Sequence, residues 1–170
     1  LMTAALPEMD IMIEDDGWLP DEQLAALARR AVAAVLNRLD RDAAGCELSL
    51  VFTGDDAIRA LNGQWRGQDK ATNVLSFPAF DLAPGDPFPP VLGDIVIARE
   101  TVEREAALDN KPFDHHLTHL VIHGFLHLLG YDHLEDEDAE EMEGLETAIL
   151  EDLGIPDPYA DGESGPAKER

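Results

Sequence analysis

Cysteine is almost absent, since Cys46 is the single one in 170 residues. One thiol excludes an intrachain disulfide framework, and with no second cysteine or histidine near it Cys46 reads as buried filler. Long apolar runs are also missing. None approaches the roughly 18 to 20 residues that span a bilayer, and Leu1 to Asp10 carries acids rather than the bases of a signal peptide. A soluble, cytoplasmic protein with no membrane partner is expected. Bases are scarce too, with 12 Lys and Arg against 36 Asp and Glu and a formal net charge of −24. Nucleic-acid binders usually present a basic face, because neutralised phosphates release counterions. The excess is uneven, however. Leu134 to Pro158 holds eleven acids and no base, whereas Arg59 to Lys70 carries Arg59, Arg66 and Lys70 against only Asp69. A site for an anionic substrate must therefore be local.

What is present is enough apolar residue, 45%, for one domain with a real core. Alternation marks a strand over Met9 to Glu14, and Pro20 opens a helix whose Leu24, Leu27, Ala31, Val35 and Leu39 recur at helical spacing. A second strand follows over Glu47 to Thr53. Gly54 to Trp65 reads as a helix with Ile58, Leu61 and Trp65 on one side. Thr72 to Phe80 and Gly93 to Ala98 read as strands separated by a proline-rich loop, and a helix runs over roughly Arg99 to Leu108. The last third is helical: Asp114 to Leu129, closed by Gly130 in the left-handed conformation, then Asp136 to Leu153. The expected fold is α+β (α/β-like), a single domain over 1–158 with one four-stranded mixed sheet packed by about five helices. Residues 159–170 form the expected flexible tail.

All six histidines lie between His115 and His133. His123 and His127, four apart on a helix, point to one side. Gly130 breaks that helix, so the chain can return His133 to the same point. The register is determined: the same spacing begun at His115 ends on Phe125, and begun at His119 it ends on Leu129. Three converging imidazoles make an open zinc site, one ion per chain, with the fourth position left to water. Nickel, copper or iron suit the same ligands. A bound metal would bring its water's pKa towards neutrality and supply a hydroxide nucleophile. The spacing matches the metzincin pattern H-E-x-x-H-x-x-G-x-x-H. Where those proteases carry their glutamate base, this chain has Gly124, so their mechanism lacks its proton acceptor.

The block His119-Leu-Val-Ile-His-Gly-Phe-Leu-His-Leu-Leu-Gly-Tyr-Asp-His133, with Glu-Glu-Met-Glu at 140 to 143, resembles the YbeY family of bacterial single-strand-specific metallo-endoribonucleases. Upstream, Leu61-Asn62, Trp65-Arg66, Asp69-Lys70, Thr72 to Phe77 and Gly93 to Ile97 resemble that family's other blocks in the same order. The resemblance covers roughly residues 47 to 158. It implies a metal site of His123, His127 and His133, with catalytic roles for His123 and for a functional arginine that falls on Arg66. A guanidinium can hold two oxygens of a phosphodiester as charge builds there. It further implies maturation of the 16S rRNA 3′ end and late-stage ribosome quality control. Single-stranded RNA, the small ribosomal subunit and its assembly proteins would be the partners, and DNA would not. The attacking group would be metal-bound hydroxide or the RNA's own 2′-hydroxyl.

Other residues carry open alternatives. Asp132 either orients an imidazole or forms the turn, and Asp94 either reaches the site or caps a strand end. Lys70 and Arg59 are phosphate contacts or solvated side chains. His119 is a packed core residue or a hydrogen-bond partner near the site. His115 and His116, in the first helical turn, are expected in solvent, as is the acidic run Glu135 to Glu146, whose other reading is a contact with a basic ribosomal protein. Two other functions fit the histidines: a zinc peptidase with an unusual base, or a non-catalytic assembly factor whose metal staples helices together.

Overall fold

A computed structural model describes residues 4–159. The elements run β1 (Glu8–Ile13), α1 (Asp21–Leu39), β2 (Glu47–Thr53), α2 (Asp55–Arg66), β3 (Val74–Pro78), β4 (Val91–Ala98), α3 (Arg99–Leu108), α4 (Phe113–Leu128) and α5 (Asp136–Asp152). The four strands form one mixed sheet in the order β1-β2-β4-β3. β1 and β4 both run parallel to β2, and β3 returns antiparallel to β4. Each expected element is present, with ends shifted by a residue or two. The exception is the third strand, which is trimmed from both sides because Thr72 and Asn73 turn into it and the chain leaves at Pro78.

Alternation along the strands divides the sheet into two faces. Leu48, Leu50, Phe52, Ile95 and Ile97 enter the main core with α1, α4 and α5. Val96, Ala98 and Leu75 point the other way, against Ile58 of α2. Helix α4 lies at the centre of the main core. Its residues from His116 to Leu126 are all buried, which is why its sequence is apolar all round rather than on a stripe. No helix among the described residues is long and apolar enough to cross a membrane.

Two glycines fix where α4 sits and how it ends. A Cβ on Gly124 would lie 2.9 Å from Ile95 Cγ2 and 3.2 Å from Ser76 Oγ, and Ser76 donates its hydroxyl to the Gly124 carbonyl at 3.2 Å. The absence of a side chain there lets α4 approach the sheet. At the helix end, Gly130 adopts φ +107°. Its N–H bonds to His127 O and the Tyr131 N–H to Leu126 O, each at 3.1 Å, the paired bonds of a Schellman motif. The chain thereby turns back over the last turn of α4.

Of the expected tail, Tyr159 is described and packs against α4 and α5, its ring centroid 5.6 Å from that of His119. Residues 160–170 lie outside the described residues.

Restoring the metzincin glutamate is expected to break this fold. Gly124→Glu would press a carboxylate into Ile95 and lower stability by about 3 kcal/mol or more, as an unpaired buried charge does. Gly124→Ala should cost less, because ~1 kcal/mol of helix propensity offsets part of the overpacking. Urea denaturation of the two variants checks the order, and neither should hydrolyse peptides.

Candidate metal centre

The Schellman turn delivers His133 to the two histidines of α4. Ring centroids lie 4.6 Å apart for His123 and His127, 5.1 Å for His127 and His133, and 5.8 Å for His123 and His133. One nitrogen from each ring falls within 4.8 Å of the others. His123 is buried, while His127 and His133 are half-buried. The triad is therefore closed on the core side and open on the other. Asp132 forms the turn, its Oδ1 accepting the Leu134 N–H at 3.2 Å, and it lines the same hollow as His127 and His133.

Behind the triad stands a residue that the sequence reading placed in solvent. Glu146 of α5 is fully buried. Its Oε2 lies 2.6 Å from His123 Nδ1 and its Oε1 2.7 Å from His119 Nε2. The Tyr159 hydroxyl also donates to Oε1. Burial works against the charged form of Glu146, but His119 and His123 and their hydrogen bonds outweigh it and hold the carboxyl well below the usual carboxylate range. An ionised carboxylate only accepts, so each imidazole donates an N–H. His123 is thereby fixed with Nδ1–H on Glu146, which leaves Nε2 as the atom that could hold a metal. A carboxylate behind a ligating histidine is the usual arrangement at imidazole metal sites. Three imidazole nitrogens within 4.8 Å of one another, open on one side, fit a divalent ion of the zinc, nickel, copper or iron class.

The open side faces a hollow of about 440 Å³ lined by Trp65, Arg66, Phe77, His127, His133 and Leu134, among others. Arg66 ends α2 and stands exposed on this wall, so the structure brings it to the same hollow as the triad. A second hollow of about 400 Å³, with Phe80, Leu82 and Tyr131, shares His127, Asp132 and Pro78 with the first.

The remaining candidates separate from the site. Arg59 pairs with Asp69 at 2.8 Å on the surface, and Lys70 is exposed in the turn after α2. Asp94 lies within β4, opposite Phe77 and Ser49, and faces a groove with Glu8, Asp10 and Glu47. Cys46 is in the core, where burial pushes its thiol up. His116 corrects the expectation of a solvated first turn. It is buried, its Nε2 2.8 Å from Glu105 Oε1, and burial pulls its pKa down against the opposing carboxylate. His115 stays half-buried beside another hollow, with Lys111 and Asp157.

The match to known proteins agrees with this geometry. The family model described as Endoribonuclease YbeY matches residues 11–154. The chain belongs to the YbeY family. It is 56% identical over 160 residues to the Endoribonuclease YbeY of Rhizobium meliloti (strain 1021), covering 91% of this chain and 95% of that one. The corresponding protein of Agrobacterium fabrum is 57% identical over 159 residues, covering 90% and 95%. In fold, it is similar to the solution structure of a Thermotoga maritima protein, with TM-score 0.55, 27% identity, and coverage of 92% and 99%. Membership in YbeY thus rests on nearly the whole chain, including the first strands and α1.

Glu146 also predicts an acid response. Its folded pKa is depressed, so its contribution to stability is fully present above the ordinary value of 4.5 and is lost as pH falls below it. Glu146→Gln should cost ~1–3 kcal/mol at neutral pH, because one of two imidazole donors loses its acceptor. The gap from wild type should narrow as pH drops under 4.5. Denaturant titrations from neutral to acid pH check both the size and the sign.

Proposed function

We propose that this chain is a zinc-dependent, single-strand-specific endoribonuclease acting in 16S rRNA 3′-end maturation and late-stage ribosome quality control. The observation that carries the reading is the shared hollow: Arg66 and the open side of the histidine triad face the same space. The YbeY names of the relatives supply the reaction class. A divalent ion on the triad would lower the pKa of a water molecule and neutralise phosphate charge.

The chain's own residues do the rest. His123, His127 and His133 hold the ion, and Glu146 keeps the His123 proton on Nδ1 so that Nε2 faces inward. Arg66 offers paired N–H donors to the non-bridging oxygens of the scissile phosphate. Its hydrogen bonds strengthen as charge accumulates there in the transition state, which is the condition for raising the rate rather than binding alone. The half-exposure of His127 and His133 supports a site with solvent access over a metal that only staples helices. The acidity of the remaining surface implies that a partner on the small subunit contributes much of the rRNA affinity.

Two outcomes test the reading. Wild type should cleave a labelled single-stranded rRNA fragment, and His127→Ala, purified in parallel and folded, should not. Equal cleavage by both would mark a contaminating ribonuclease. Arg66→Ala should lower kcat by roughly 10²- to 10³-fold with metal content unchanged. A loss confined to KM would make Arg66 a binding residue only.

A further inference from the structure

Trp65 is expected on the apolar side of its helix, with Ile58 and Leu61. The structure buries Ile58 fully but leaves Trp65 64% exposed. Phe80, just beyond β3, is 53% exposed. A lone exposed aromatic needs no explanation. These two, however, border two different hollows, and the hollows meet at His127. Trp65 lines the hollow that holds Arg66 and His133, and Phe80 lines the one on the far side. Trp65 is steadied by Phe77, at a ring-centroid distance of 6.5 Å and an interplanar angle of 68°.

We propose that Trp65 and Phe80 are stacking platforms for the two bases that flank the scissile phosphate of a single-stranded RNA. The proposal rests on the nuclease reading above. A strand laid from one hollow to the other crosses His127, which sets a phosphodiester at the triad and beside Arg66, with a base on each side. Aromatic faces take any unpaired base, so binding would be tolerant of sequence. They cannot take a base already stacked inside a duplex, and this gives the fold its own means of selecting single strands. Stacking also supplies affinity without positive charge, which suits a chain carrying −24.

The two tryptophans make a direct test. Trp18 is only 8% exposed against 64% for Trp65, so quenching by an added oligonucleotide reports on Trp65. A single-stranded rRNA fragment should quench the emission of wild type, and its duplex should not. Trp65→Ala and Phe80→Ala should each weaken binding of the fragment about five- to hundred-fold, with kcat at saturation within a few-fold of wild type. Trp65→Phe should keep most of the affinity. An otherwise identical strand with abasic sites should bind wild type as weakly as the intact strand binds the variants. Absent quenching, or variants that bind the intact strand as wild type does, would overturn the proposal and leave the aromatics to a protein partner. Cleavage with unaltered variants would defeat the stacking and spare the nuclease reading. Quenching and variant effects without cleavage would do the reverse.

Discussion

One carboxylate, Glu146, joins the parts of this molecule that matter. It lies between α4 and α5, accepts from His119 and His123, and receives the Tyr159 hydroxyl. A carboxylate this deeply buried is costly unless every partner is in place. With two imidazoles and a phenol around it, α5 is held against α4 at a fixed height and rotation. The same bonds set the His123 ring, so the requirement to satisfy a buried charge and the orientation of a candidate metal ligand are one constraint. Tyr159 brings the chain beyond α5 under that constraint as well.

The glycines of α4 serve the other side of the site. Gly124 lets the helix close onto Ile95 and Ser76, which places His123 and His127 against the edge made by β3. Gly130 then turns the chain so that His133 completes the triad. The metzincin spacing of the histidines thus coexists with a residue that cannot be their glutamate: the position of the protease base is occupied by helix–sheet contact. Geometry suited to a metal has been kept, and the proton acceptor of peptide hydrolysis has no room.

The histidine register was legible because it is local. Spacing along one helix and one glycine break determine it, as periodicity determines the strands and helices around it. Glu146 was hidden by its neighbours, being one of eleven acids between Leu134 and Pro158. Its signal was positional: it falls four residues after Met142 and three before Ile149, on the stripe that α5 buries. A carboxylate on an apolar stripe asks for a partner, and the histidines of α4 were the available donors. His116 was misplaced for a related reason, since a first helical turn usually meets solvent but α3 covers this one with Glu105. Trp65 failed in the opposite direction. Helical periodicity puts it on one side with Ile58 and Leu61, but only Ile58 and Leu61 pack into the cluster under α2, and the last turn of α2 lines the hollow beside the triad.

X-ray absorption spectroscopy of the purified, metal-loaded protein tests the open three-histidine centre most directly. One ion per chain is expected, with three imidazole nitrogens at about 2.0–2.1 Å and at least one solvent oxygen. A coordination shell filled by four protein donors, or one without the three imidazoles, would contradict it.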